Sequence, residues 1–254
     1  MSIDLTRTAA PANRVQPRRR VTDAPTRMFH ALFALSFLGA YLSADSQGWR
    51  ELHVTLGYTM AGLFAGRLLY GLFGPRQARL GLWWRRLASA PAWLRSLRRA
   101  PGGDGLNWRQ GQNLLTALAV VAMLALVLPL TLSGYASLRE WGHAFEELHE
   151  LFANALLAAV LVHLALIVGT SVHQRRNAAQ AMLSGRIDGA GPDLAQHNRA
   201  GLAALLLAAV LAFWAWQWQQ TPGGLVPAGP WIVSAPDRDH REHREHRDHR
   251  DDDD

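Results

Sequence analysis

His149-Glu150-Leu151-Phe152-Ala153-Asn154-Ala155-Leu156-Leu157-Ala158-Ala159-Val160-Leu161-Val162-His163 sets two histidines fourteen residues apart in an otherwise apolar run. At 3.6 residues per turn this is almost four whole turns, so on a helix both imidazoles leave the same face, ~21 Å apart along the axis. The apolar segment extends from Leu148 to Val172, enough to cross a bilayer, which takes ~20 residues. Ionisable groups are costly at that depth, so two on one face mark a functional surface.

Working outward, four more segments have the same apolar character: roughly Met28 to Leu42, His53 to Phe73, Asn113 to Gly134 and Ala200 to Trp218. The mean hydropathy of −0.03 resembles that of a soluble protein, but it averages apolar blocks with arginine-rich stretches. Tyr41, Tyr70, Tyr135, Trp214, Trp216 and Trp218 stand near segment ends, where aromatic rings anchor at the membrane interface. The first segment is the shortest. A cleavable leader ending near Leu42-Ser43-Ala44 is the minor alternative there, and cleavage would remove His30. The expectation is an all-α integral membrane protein with five spans.

Orientation follows from the arginines. Eighteen lie before segment one, between segments two and three, and between segments four and five; the two opposite loops hold Arg50 and Arg139 alone. By the positive-inside rule the N-terminus is cytoplasmic, and five spans leave the C-terminus periplasmic. The chain has 254 residues and no cysteine, which excludes disulfides, thiolate metal sites and c-type haem attachment. All 26 basic residues are arginine. Because they separate apolar blocks instead of forming one basic face, the net charge of +6 does not indicate nucleic-acid binding. Leu82, Trp83, Trp84, Leu87, Trp93, Leu94 and Leu97 alternate with arginines over a stretch too short to span, which reads as a helix lying on the cytoplasmic leaflet.

His30 sits at the cytoplasmic start of segment one and His53 at the outer start of segment two. His149 is therefore level with His53, and His163 lies nearer His30: two histidine pairs, one per leaflet. Paired neutral imidazoles in an apolar helical bundle suit the two axial positions of a haem iron, whereas zinc or copper asks for three or four donors at one level. Gly57, Gly62 and Gly66 leave room beside His53 for a flat ring, or serve ordinary helix packing. Arg67, fourteen residues after His53, shares its face near the cytoplasmic end; it either pairs with a haem propionate there or snorkels to the interface. His173 falls off the face of His163, and His143 and His197 read as surface residues.

The stretches Arg27-Met28-Phe29-His30, His53-Val54-Thr55-Leu56-Gly57-Tyr58, Arg67 to Pro75, and Trp141 followed by His149-Glu150-Leu151-Phe152-Ala153-Asn154 and His163 resemble the bacterial cytochrome b561 family. That superfamily includes the b-type cytochrome subunits of nickel–iron hydrogenases and formate dehydrogenases. The similarity runs on through Ser171, His173, Asn177, Ala181-Met182 and Gly185-Arg186, covering about residues 27 to 187. It implies a four-helix bundle with two haem b groups, His30 paired with His163 and His53 with His149, and electron exchange between membrane quinone and a partner. In two places the chain departs from the family pattern: Gly105-Leu106-Asn107-Trp108 stands where Gly-His-Asn-Pro is frequent, and Ala31 follows His30 where tryptophan is frequent. Neither removes a ligand.

The expected organisation is a disordered cytoplasmic N-terminus (1–26), a dihaem cytochrome b domain (27–187), a linker and fifth transmembrane helix (188–219), and a disordered periplasmic tail (220–254). The expected function is electron transfer across the bacterial inner membrane between quinone and a redox partner, the candidates being a periplasmic c-type cytochrome or a dehydrogenase or hydrogenase subunit. Membrane lipid is the surrounding medium. The rivals are a superoxide:quinone oxidoreductase-like enzyme and a non-redox metal-binding or transport protein. Whether the chain is itself an enzyme is left open. Glu140, Glu146, Glu147 and Glu150 form an acidic outer rim suited to a basic partner, or are merely solvated. In the tail, His240, His243, His246 and His249 recur every third residue, a spacer with weak metal affinity at most.

Overall fold

The computed structural model of the chain describes residues 17–79, 81, 87–99, 108–221 and 225. The expectations for residues 1–16, for Leu82 to Arg86 and for the His-rich tail lie outside the described residues.

Five long helices carry the fold: α1 (Ala24–Leu42), α2 (Arg50–Phe73), α4 (Trp108–Leu138), α5 (His143–Gln174) and α7 (Ala200–Gln220). Two shorter ones, α3 (Ala90–Arg99) and α6 (Gln180–Leu183), lie in the connections between α2 and α4 and between α5 and α7. Each long helix contains one of the apolar segments and adds polar turns at its ends. Three of them, over Gln110–Leu138, His143–Gln174 and Ala200–Gln220, are long and apolar enough to cross a membrane. The other two have 19 and 24 residues but interrupt their apolar faces with Arg27, His30 and Ser36 in α1 and with His53, Thr55, Thr59 and Arg67 in α2.

α1 starts where local chemistry dictates. Asp23 takes extended backbone angles, its Oδ1 accepts from Thr26 N at 3.2 Å, and Pro25 occupies the first turn, where no intrahelical N–H is needed. At the other end the Ser43 hydroxyl donates to Gly39 O at 2.7 Å and to Ala40 O at 3.1 Å, closing the last turn.

α4 and α5 pack along their length as an antiparallel pair, α1 packs on α2, and α2 joins the pairs through α4. At the centre Met60, Phe64, Val127, Leu130 and Leu156 form a buried cluster, with Phe33 and Phe37 of α1 against it, so all four helices meet there. Leu156, 1% exposed, is seven residues from both His149 and His163. The core layer thus lies between the two histidine levels. α7 is no loose appendage: Val210 packs with Leu32 and Leu63 of α1 and α2, Trp214 Nε1 donates to Thr59 Oγ1 at 2.8 Å, and Gln217 Nε2 reaches Thr55 Oγ1 at 3.5 Å.

The start of the described chain differs from the expected disordered lead-in over residues 17 to 26. β1 (Arg18–Arg20) pairs antiparallel with β2 (Arg186–Asp188), with Arg18 opposite Asp188 and a 2.9 Å ion pair between them. Thr22 N donates to Gly185 O, Ala24 N to Asn198 O, and Arg20 O accepts from Leu194 N and Ala195 N. These bonds join segments ~170 residues apart, beyond the reach of any local pattern, and tie the start of α1 to the chain between α5 and α7. α3 is helical over part of the stretch expected to lie on the leaflet, and its Trp93 packs against α4, where a Cβ on Gly111 would sit 2.5 Å away.

Candidate functional site

The outer level is built from three helix ends. α1 stops at Leu42, leaving Ala40 O without a full intrahelical partner, and His53 Nδ1 donates to it at 2.8 Å from the first turn of α2. His149, in the second turn of α5, donates from Nδ1 to Leu130 O of α4 at 3.0 Å. A ring nitrogen that faces a carbonyl must carry the proton, so both imidazoles are held in the tautomer whose Nε2 keeps a free lone pair. Gly134 is what lets His149 come so close to α4: a Cβ there would lie 2.8 Å from the ring.

The two outer rings lie 6.0 Å apart between centres, with planes at 85°. Two nitrogen–metal bonds of ~2.0–2.1 Å end to end bring two imidazole centres to a separation of ~6 Å, so the spacing fits one metal ion between them. Among the described residues no group of three or more His, Cys, Asp or Glu side chains could hold a metal. A pair of imidazoles with no third donor suits an iron whose other positions a porphyrin fills, and it does not suit tetrahedral zinc. No atom lies within 4 Å of where a Cβ on Gly57 would be, one turn along α2 from His53, so space is open there for a ring. Gly62 is equally open, while Gly66 receives Phe29.

At the inner level His163 of α5 has His30 of α1 in its electrostatic surroundings, without a ring contact between them. Their surroundings are less complete. His30 is exposed, and His163 Nδ1 is buried with no hydrogen-bond partner. The ring contact between His53 and His149 brings the outer two together, while no ring contact or hydrogen bond joins His30 and His163 among the described residues.

Arg67 lies near the C-terminal end of α2, where its Nη1 donates to Ala78 O at 3.2 Å and Asp23 contributes to its electrostatic surroundings. Asp23 is 1% exposed and accepts from Tyr70 Oη at 2.5 Å as well as capping α1. The Arg67 guanidinium thus has a backbone carbonyl as its hydrogen-bond partner and makes no direct ion pair among the described residues. His173 is exposed and lines a polar cavity of about 400 Å³ with Gln112, Gln174 and Arg176. His143 is exposed and faces Glu146 and Glu147 at 3.9 and 3.5 Å, and His197 is exposed, as expected of surface residues.

Three functional features escape the sequence reading: the carbonyls of Ala40 and Leu130, the glycine at 134, and Asn154 as acceptor from Tyr41 Oη at 3.3 Å, which links α5 to α1. Only Asn154 left a signal, as part of the quoted motif.

Against known protein families, the profile of prokaryotic cytochrome b561 matches residues 21–185. No curated protein and no solved structure matches the chain. The profile covers well over half of the sequence and contains all four paired histidines, so the chain belongs to the prokaryotic cytochrome b561 family and is a multi-pass membrane cytochrome of electron transfer.

Proposed function

We propose that the chain binds two haem b groups, one between His53 and His149 and one between His30 and His163, and carries electrons between the quinone pool and a redox partner across the bacterial inner membrane. The observation that carries this reading is the outer pair: two imidazoles 6.0 Å apart, each with its Nδ1 proton committed to a backbone carbonyl. Rings prepared in this way are axial ligands in waiting, because the free Nε2 lone pair is the donor and the second bond fixes its direction.

Haem, when bound, supplies the one-electron couple. The chain supplies the rest. α5 spaces the two levels by ~21 Å, and the Met60, Phe64, Val127, Leu130 and Leu156 layer keeps water from the space between. α7 seals the side formed by α1 and α2 with Val210 and Trp214. In this reading α1 and α2 cross the membrane with the other three long helices, the N-terminus is cytoplasmic and the C-terminus periplasmic, as the arginine distribution requires. Glu140, Glu146, Glu147 and Glu150 are exposed around the start of α5, beside the outer pair, and favour a basic soluble partner such as a c-type cytochrome.

A reduced-minus-oxidised optical spectrum of the purified protein, with haem counted per polypeptide, tests the reading. The expected result is a b-type α band and two haems per chain. A preparation without that band overturns it.

A further inference from the structure

The cytoplasmic end of the bundle holds a cation without an anion. Arg27 stands in the first turn of α1, three residues before His30, and therefore about one turn nearer the cytoplasm on an adjacent face. Its side chain is half-buried beneath the β1/β2 pair. Nη1 donates to Leu183 O at 3.2 Å. The guanidinium also lies against the backbone of Gly185, where a Cβ would come within 3.2 Å of Nε and 3.3 Å of Cζ. Gly185 has φ +75°, so glycine is required there for both conformation and space. Nε is buried and donates to nothing, and among the described residues no carboxylate pairs with Arg27. Arg67 also makes no direct ion pair among the described residues, but none of its nitrogens is buried without a partner, and Asp23 contributes to its electrostatic surroundings.

A guanidinium at the edge of a membrane bundle needs an anionic partner or water, and a planar fork with a buried free N–H matches a carboxylate. The inner site would bring one. A porphyrin held between His30 and His163 keeps its flat apolar body in the bundle, and its two carboxylate side chains turn toward the nearer water, on the cytoplasmic side. We propose that Arg27, rather than Arg67, is the residue that binds a propionate of the inner haem, with Leu183 O and Gly185 holding the guanidinium in place. The proposal rests on the two-haem reading above: a wild-type protein without two b haems ends that reading, whereas the variants below test Arg27 alone.

The experiment is a potentiometric titration of the intact haem-loaded protein, together with the rate at which haem transfers to apomyoglobin, for Arg27→Gln and Arg27→Lys. In Arg27→Gln the inner component should move to lower potential, since removing a positive charge favours the oxidised haem. It should also leave about tenfold faster, the equivalent of one charge-assisted hydrogen bond. The outer component serves as the internal control and should not move, and Arg27→Lys should recover most of the potential. An inner component unchanged in Arg27→Gln overturns the proposal. So does an equal change in the lysine and glutamine variants, or loss of both haems in each, because those results assign Arg27 to folding and not to a charge contact.

Discussion

The two histidine pairs share α5 and the same residue type, with α2 supplying the second ring at the outer level and α1 at the inner one, yet one is finished and the other is not. At the outer level both Nδ1 atoms are bonded to carbonyls and Gly134 has cleared a path for His149. At the inner level His30 is exposed, His163 Nδ1 has no partner, and the polar groups nearby belong to a cap that joins distant parts of the chain. The outer ligands are oriented before any cofactor arrives, and the inner ones depend on what the cofactor brings. A preorganised ligand loses less freedom on binding, so the outer haem should be held more tightly and with less variation in geometry.

The sharpest way to break this comparison is to remove the ligands one at a time. His149→Ala should abolish the outer haem and leave most of the inner one, and His163→Ala should do the reverse, as read by haem per polypeptide. Equal haem content in all four single-histidine variants would end the assignment.

Next in size is the path cleared by Gly134. Gly134→Ala puts a methyl group 2.8 Å from the His149 ring, in contact with a side chain pinned at Leu130 O. Overpacking of this kind costs about 1–3 kcal/mol. The outer haem should therefore be lost several-fold faster while the inner haem is unaffected. Gly201→Ala, in open space on α7, is the matched control. If both alanines behave alike, Gly134 does not position the ligand.

A smaller effect, shared by both levels, is expected from α7. Trp214→Phe removes the donor to Thr59 and should lower stability by about 1 kcal/mol, since one neutral hydrogen bond is lost and Thr59 still donates to Thr55 O. Because α7 packs on both α1 and α2, thermal unfolding should shift with neither haem singled out. A change confined to one haem would mean that α7 supports one level only.

How far these features could be read beforehand depends on their range. The helices were legible because membrane spanning demands long apolar runs, and the ends of α2 and α7 fall within three residues of the expected ones. The histidine pairs were legible because a period of 3.6 and the arginine distribution fix both face and level. The carbonyl partners were not, since any backbone C=O is chemically alike and only the stop of α1 at Leu42 singles out Ala40. The β1/β2 pairing and the Ala78 carbonyl that accepts from Arg67 were hidden for the same reason: Arg18 and Asp188, for example, meet only after the helices have packed.

The smallest effect belongs to the outer surface. Glu146, Glu147 and Glu150 are exposed in the first two turns of α5, and Glu140 stands in the turn before it, all beside the finished pair. Two of these carboxylates face His143, which removes part of their charge only when that imidazole is protonated. Exposed charges separated by water contribute little binding energy, about 1 kcal/mol or less each, but their summed field raises encounter rates and is screened over ~10 Å at 0.1 M salt. Electron transfer to a basic soluble cytochrome should therefore slow as salt is added. Changing Glu146, Glu147 and Glu150 together to glutamine should flatten that dependence while leaving both haem potentials nearly in place. A rate indifferent to ionic strength in the unaltered protein would show that the acidic rim steers nothing, and the advantage of the outer level would then lie in its ligands alone.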